Sequence, residues 1–398
     1  MSPAATASNA PAAWVSTSAS AFAPLWERQA EWARRMTMVR EAQVFLYQSI
    51  FYIEFDAYGR EMLAALLAAQ RRGVRVQLII DGFGQQLGGI LMSRTDRRAL
   101  SRALGELRHA GAVVTMYRPP RLLQRWLGGG HHVKIQVSEQ GEAILGSGNI
   151  TKSSFEGWNE YAVAVRGPVA PVLLESCRVI GGEVSEADVA HLRGQAASES
   201  ADLALDYWIC NPNLHQGVWG ALGWRGPNAL TDRMIAMVDG ATRSLRVTSF
   251  YFKPTEPLMA AVLRAAARGV RVEVFHSHLD ALPATDLAWI AAATGYGRLL
   301  DAGVRIYENR HGEHSKIVLV DDEWVACGSY NFEDAAHERL AEAMLESRDA
   351  RMVAPARAII EGLRRDPDLV AVTPDTVRQW PEAVRRRVRR YGRFKRWI

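Results

Sequence analysis

Two stretches of this chain, about 200 residues apart, carry the same pattern, so the fold must contain one unit twice. Phe51-Tyr52-Ile53, a helical stretch and Arg72-Gly73-Val74-Arg75-Val76 recur as Phe250-Tyr251-Phe252, a helical stretch and Arg268-Gly269-Val270-Arg271-Val272. Ala110-Gly111-Ala112 with Tyr117 is echoed by Ala302-Gly303-Val304 with Tyr307. In each copy an apolar strand such as Val44 to Ile53 leads into a helix. Asp56 is placed to cap that helix, Met62, Leu63, Leu66 and Leu67 form one face, and Gly73 ends it. A second apolar strand, Val74 to Ile80, follows at once. This alternation predicts an α/β fold of two units, each a mixed or largely parallel sheet flanked by helices.

The chain has 398 residues, enough for each unit to bury its own core. Residues 1–25, rich in Ala, Ser and Pro, read as a flexible N-terminal tail, 26–200 as the first domain, 201–370 as the second, and 371–398 as a basic amphipathic C-terminal tail. Gly181 to Asp206, rich in Ser, Ala, Gly and Glu, reads as the link between the domains. With 48% hydrophobic and 23% charged residues the chain is not disordered throughout. No run approaches the 18 apolar residues of a membrane-spanning helix, and the N-terminal segment has neither the early basic residues nor the apolar stretch of a secretory signal. Cys177, Cys210 and Cys327 have no CxxC spacing, which argues against a disulfide scaffold or a cysteine zinc site and fits reduced cytoplasmic thiols.

Charge is concentrated at one end. Residues 381–398 hold eight basic side chains and only Glu382, a local +7 against a whole-chain +5, so the remainder is slightly acidic. Val384, Val388, Tyr391 and Trp397/Ile398 recur at roughly helical spacing with arginines between them, Arg385 and Arg389 included. Such a segment suits an anionic bilayer interface, and equally a solvated terminal helix or a tail on nucleic acid.

Each half also carries one polar signature: His132-Val133-Lys134 then Gly146-Ser147-Gly148-Asn149, and His314-Ser315-Lys316 then Gly328-Ser329-Tyr330-Asn331, with twelve residues from Lys to Gly in both. In extended chain, residues i and i+2 share a face, so each half projects an imidazole beside an ammonium while Val133, Ile135, Val137, Ile317 and Leu319 face the core. Of 48 basic residues only five are lysines, and two of those five lie in the matched tripeptides. Two histidines and two lysines support phosphoryl transfer without a metal. A neutral imidazole attacks phosphorus, a protonated one donates to the leaving alcohol, and the lysines neutralise non-bridging oxygens. Ser147, Asn149, Ser329 and Asn331 add neutral donors at the rim. His276 and His278 share a face without a GSxN partner and read as structural, or at most as rim residues.

H-x-K, four residues, an acid, six residues, then G-S-x-N, present twice, resembles the phospholipase D superfamily. The second half matches in full with Asp321, whereas the first has Glu139 at the acid position. By resemblance, these acids make structural contacts. Glu160 and Glu342, eleven residues after the motif asparagines, would orient the catalytic imidazoles. The resemblance implies two phospholipase D-like units with the active site between them, a phosphohistidine intermediate and no cofactor or metal. Phe51 to Ile53, Gly59, Arg72 to Val76 and Asp81-Gly82-Phe83-Gly84 are further similar to bacterial cardiolipin synthases lacking transmembrane helices.

The function so implied is phosphatidyl transfer, with phosphatidylglycerol as both donor and acceptor giving cardiolipin, by an enzyme held peripherally on the cytoplasmic side of the inner membrane. Its partners are anionic phospholipid and the membrane surface. The loop containing Arg118, Arg121, Arg125 and Trp126 suits a rim that dips into headgroups, or an ordinary packed loop with solvated arginines. Hydrolysis of phospholipid, in which water takes the same intermediate, and a metal-independent nuclease are the alternatives. The slightly acidic body argues against nucleic acid. Complete motifs in both halves argue against a non-catalytic scaffold.

Overall fold

The computed structural model describes residues 12–216, 219–220, 222, 226–282 and 285–397. Its strands in the first half are β1 (Ala12–Ala19), β2 (Ala21–Leu25), β3 (Phe45–Ile50), β4 (Arg75–Asp81), β5 (Val113–Tyr117), β6 (Gly130–His131), β7 (Ile135–Ser138), β8 (Glu142–Gly146) and β9 (Ala162–Arg166). The second half adds β10 (Leu203–Cys210), β11 (Ser244–Thr248), β12 (Arg271–Ser277), β13 (Arg305–Asn309), β14 (Ile317–Val320), β15 (Trp324–Gly328), β16 (Leu340–Ser347) and β17 (Leu369–Val372). Two mixed sheets result, one in the order β2-β9-β8-β7-β3-β4-β5, the other β1-β10-β16-β15-β14-β11-β12-β13-β17 with β6 beside β16. β3-β4-β5 and β11-β12-β13 pair parallel, as does the short β6 with β16.

The repeated units form for the reasons their sequences suggest. Asp56 accepts from the Gly59 N–H at 3.0 Å and caps helix Ala57–Arg71, whose Met62, Leu63 and Leu66 are buried. Gly73 then takes φ 98°, the left-handed turn that lets the chain leave the helix straight into β4. Thr255 and Gly269 do the same for helix Glu256–Ala267. Each helix packs on the outer face of its own sheet. The inner faces share one core: Phe45, Val133, Ile135 and Val137 from the first half join Phe275, Ile317, Leu319 and Val325 from the second, with helices Val169–Ser176 and Ala350–Leu363 packed among them. The halves are thus joined by a common hydrophobic interior, which fixes their facing edges relative to each other.

Three expectations about the ends and middle of the chain need correction. Residues 12–25 are not a flexible tail: β1 pairs antiparallel with β10 in the second sheet and β2 with β9 in the first, so this segment staples the two sheets together. Residues 1–11 lie outside the described residues. The stretch 181–206 is not a loose link, because Ser185 caps helix Glu186–Ala197, which buries Val189 and Leu192 on the shared core before β10 begins. Residues 371–398 are not a separate tail. β17 completes the second sheet, and Val377, Trp380, Val384, Val388 and Tyr391 pack on the second half's outer core, Trp380 meeting Trp289 at 5.3 Å between ring centroids. Among the described residues no helix is long and apolar enough to cross a membrane.

The packing of helix Glu382–Tyr391 sets a stability test. Val388→Asp buries a carboxylate against this core and is expected to cost about 1–3 kcal/mol, whereas Arg386→Ala, on the exposed side, should change stability by under about 0.5 kcal/mol. Urea unfolding midpoints measure both. An unmoved midpoint in Val388→Asp would mean that the helix is not docked in solution.

Candidate active site

The two H-x-K tripeptides lie in extended chain immediately before β7 and β14, each tied by its backbone to the opposite half. The His132 N–H donates to the Ala341 carbonyl at 2.7 Å, and the His314 N–H donates to the Asn159 carbonyl at 2.8 Å. β6 runs parallel to the start of β16, pairing Gly130 with Leu340, while Asn159 bridges Glu313. Each histidine segment is therefore zipped to the segment that precedes the other half's glutamate. This brings the two imidazoles face to edge, 6.5 Å between centroids, across one cleft.

The glutamates are exchanged between halves. Glu160 of the first half holds Nδ1 of His314 at 2.8 Å, and Glu342 of the second half lies 3.2 Å from Nδ1 of His132. Ser147 donates its hydroxyl to Glu160 at 2.5 Å, and Ser329 donates to Glu342, so the motif serines fix the carboxylates. Nδ1 of His132 also lies 3.0 Å from the Ser329 carbonyl, which can only accept. Nδ1 must carry the proton, which leaves the Nε2 lone pair free. Lys134 and Lys316 each donate to the carbonyl of the histidine two residues before, at 2.8 and 2.6 Å.

All these groups are buried, and burial dominates their acidities. It pushes His132 well below the usual imidazole range, Lys134 and Lys316 adding to the effect, and pushes His314 down to about 4 with Glu160 opposing. Burial drives Lys316 down to about 8, against Glu160 and Glu342, and also pushes Lys134 well below the usual ammonium range, with Lys316 adding to the effect. The two glutamates part company. For Glu160 the opposition of burial is outweighed by His314 and Lys316, which hold its carboxyl at about 2, whereas burial raises Glu342 to about 8 against the pull of Lys134. One imidazole thus rests on a carboxylate and the other beside a neutral acid.

A cavity of 460 Å³ opens above the histidines, with Asn149 and Asn331 on its wall and a mainly hydrocarbon lining. Three aromatic side chains clamp the rings: Phe51 meets His132 edge-on at 4.8 Å, Phe250 meets His314 at 4.6 Å, and Trp158 stacks on His314 at 5.0 Å. In the sequence Phe51 and Phe250 mark the repeat, and their recurrence at matched positions is the signal for a shared place at the site. Trp158 carried none. A larger groove of 970 Å³, lined by Val15, Tyr117, Val172, Tyr207 and Ile209, holds none of the motif residues.

Other expected site residues stand elsewhere. Glu139 accepts from the Gln43 and Phe45 N–H groups at 2.7 and 3.3 Å, and Asp321 accepts from the N–H groups of Thr242, Arg243 and Ser244. Both acids tie down the chain entering the central strand, a contact the longer glutamate makes as readily as aspartate. His276 bonds the Tyr296 hydroxyl at 2.9 Å in a buried network with Glu308 and Trp289, away from the imidazole pair. Arg118, Arg121, Arg125 and Trp126 are exposed on the loop and short helix Leu122–Trp126, with Trp126 80% exposed. Arg385 and Arg389 both pair with Glu382 of their own helix, at 3.1 and 2.8 Å, and the apolar side of that helix is covered by the second half. Val384, Val388 and Tyr391 are thereby half-buried. The Trp397 side chain and Ile398 lie outside the described residues. His311, Asp366 and Asp368 bring one possible metal-ligand atom each within 4.8 Å of one another, but His311 already bonds Asp368 and Asn159 and neither motif histidine belongs to the group.

Over 344 residues the chain is 28% identical to cardiolipin synthase B of Salmonella typhi, covering 82% of this chain and 76% of that protein. It is 25% identical over 370 residues to the minor cardiolipin synthase ClsB of Bacillus subtilis (strain 168), covering 87% and 83%. A crystal structure of phosphatidylserine synthase from Haemophilus influenzae Rd KW20 shares the fold, with a TM-score of 0.70 at 16% identity over 97% of this chain and 96% of that one. Residues 36–175 and 234–364, which contain both H-x-K and both G-S-x-N motifs, match the family described as cardiolipin synthase, PLD-like domain, and the chain belongs to that phospholipase D-like family.

Proposed function

We propose that this chain is a phospholipase D-type phosphatidyltransferase that makes cardiolipin from two molecules of phosphatidylglycerol through a phosphatidyl-histidine. The observation that carries the reading is the pair of imidazoles 6.5 Å apart at the base of a largely apolar cavity, each held by a glutamate from the opposite half. A phosphodiester between the rings has one on each side for in-line displacement. The apolar lining suits acyl chains and glycerol carbons and gives no track for a nucleic-acid backbone.

His132 is the nucleophile in this reading. Its Nε2 lone pair attacks phosphorus, the bond to the glycerol oxygen breaks, and protonated His314 gives its Nε2 proton to that oxygen. The hydroxyl of a second phosphatidylglycerol then attacks phosphorus while His314 takes its proton. The N–P bond breaks, cardiolipin leaves, and His132 is regenerated. Ionised Glu160 supports the imidazolium form of His314, which the negative charge of an entering phosphodiester raises further. Lys134 and Lys316 stabilise charge on the non-bridging oxygens, joined by Asn149 and Asn331.

Access to lipid is assigned to the cavity mouth. Leu87 and Ile90 of helix Gly82–Leu91 line the cavity and are also exposed, Ile90 by 69%, and Leu122, Leu123 and Trp126 are exposed on the short helix that precedes the first motif. These side chains enter the interface while Arg118, Arg121 and Arg125 meet anionic headgroups, holding the enzyme peripherally on the cytoplasmic face of the inner membrane.

Two outcomes follow. Glu160→Gln removes the charge that supports the general acid and is expected to lower kcat roughly 10- to 100-fold, whereas Glu342→Gln replaces a group that is neutral near pH 7 and should lose less than about tenfold. Profiles of kcat/KM should fall more steeply above about pH 8, where Lys316 loses its proton and with it a charge that stabilises the phosphoryl oxygens, on top of the decline set by His314. Equal losses in the two variants, or a profile flat to pH 10, would contradict the assigned roles. For membrane access, the double variant Leu122→Ser/Trp126→Ser should weaken co-sedimentation with phosphatidylglycerol vesicles by at least about tenfold, since each side chain contributes roughly 1.5–3 kcal/mol when buried in an apolar phase. Unchanged co-sedimentation would move the docking surface elsewhere.

A further inference from the structure

The halves repeat the motif but not its surroundings. Counting from the motif asparagine, the second residue is Thr151 in the first half and Glu333 in the second, and the eighth is Gly157 against Arg339. Three residues after the repeated first phenylalanine stand Glu54 and Lys253. The second half alone therefore adds a carboxylate and a guanidinium at these positions. Both Glu333 and Arg339 line the catalytic cavity although each is more than nine-tenths buried.

Their geometry is specific. The Lys253 ammonium lies 3.2 Å from Glu333 Oε2, and Asn331 Nδ2 donates to Oε1 at 3.2 Å, so the carboxylate stands one hydrogen bond from a motif asparagine. Arg339 donates from Nη2 to the Arg396 carbonyl at 2.7 Å, and Arg396 pairs with Glu338, so the C-terminal segment positions the guanidinium. Away from the motif residues the cavity wall is mainly hydrocarbon, with Phe83, Leu87, Leu91 and Leu127. Buried charges cost several kcal/mol each unless well paired, and the first half folds around the same motif with Thr151 and Gly157 in their places. The motif itself can be built without them.

We propose that Glu333 and Arg339 form the acceptor subsite, which takes an anionic lipid headgroup carrying both a phosphate and free hydroxyls. This rests on the phosphatidyl-transfer reading above. The planar guanidinium donates to the phosphate of the incoming lipid, and the carboxylate accepts from its glycerol hydroxyls, so that the attacking oxygen is presented beside Asn331. Water carries no phosphate to pair with Arg339, so the pair favours a lipid alcohol over water as the second nucleophile. The broken symmetry then assigns the polar wall to the acceptor and the hydrocarbon wall to acyl chains.

The test uses the full chain with phosphatidylglycerol vesicles and measures the ratio of cardiolipin to phosphatidic acid, the products of transfer and of hydrolysis of one intermediate. Arg339→Gln is expected to lower this ratio at least about tenfold, isosteric Glu333→Gln to lower it in the same direction, and Arg339→Lys to recover part of it. In the same reactions, exchange of labelled free glycerol, which has no phosphate for Arg339, should rise relative to cardiolipin formation in Arg339→Gln. Partial misfolding lowers all products together and leaves the ratio in place. A ratio unchanged in both Gln variants would overturn the subsite. A wild-type chain that forms phosphatidic acid but no cardiolipin would instead overturn the reading on which the subsite rests.

Discussion

Everything else in this molecule depends on the exchange of carboxylates between its halves. Glu160 belongs to the first half and holds His314 of the second, while Glu342 belongs to the second and lies on His132 of the first. Each imidazole meets a glutamate of the other half, so the pairing of the two sheets is part of the geometry of the site. The backbone bonds from His132 to Ala341 and from His314 to Asn159 make the same exchange beneath the side chains. The shared core of Val133, Ile135, Ile317 and Leu319, together with strands β1 and β2, prevents the halves from sliding apart.

Enclosing two lysines, two glutamates and two histidines in that interface is costly, and the arrangement uses the cost. Burial pushes the imidazoles toward their neutral forms and lowers Lys316 into a range where it can respond to pH. The repeat is chemically asymmetric even though its motif is not: an ionised Glu160 sits on one ring and a neutral Glu342 beside the other. In the proposed mechanism this lets two copies of one unit act as nucleophile and acid, because each pair of residues experiences a different local field.

Much of this was legible in the residues. The duplication, the α/β character of each unit and the spacing of H-x-K to G-S-x-N are local patterns, and periodicity reports local patterns well. The exchange was not legible. Each glutamate lies the same distance in sequence beyond its own histidine, and nothing in a linear pattern says that it serves the other one. The chain ends were misread for a related reason. Residues 12–25 are rich in Ala and Ser and look like a tail, yet they become strands because β9 and β10 offer exposed edges to pair with. The arginine-rich C-terminal helix advertised its charge, while its Val384, Val388 and Tyr391 found a partner in a surface of the second half that no local pattern marks. The cavity wall formed by Trp158, Glu333 and Arg339 lies outside the motifs and emerged only when the two halves were brought together.

The most direct measurement concerns the covalent step. A phosphatidyl ester with p-nitrophenolate as leaving group needs no proton from the enzyme, so His314→Ala should still form the phosphatidyl-enzyme yet lack the base that discharges it. Intact-protein and peptide mass spectrometry of that variant should then find one phosphatidyl group, located on His132. An adduct on any other residue, or release of p-nitrophenolate by His132→Ala at the wild-type rate, would contradict the two-histidine account.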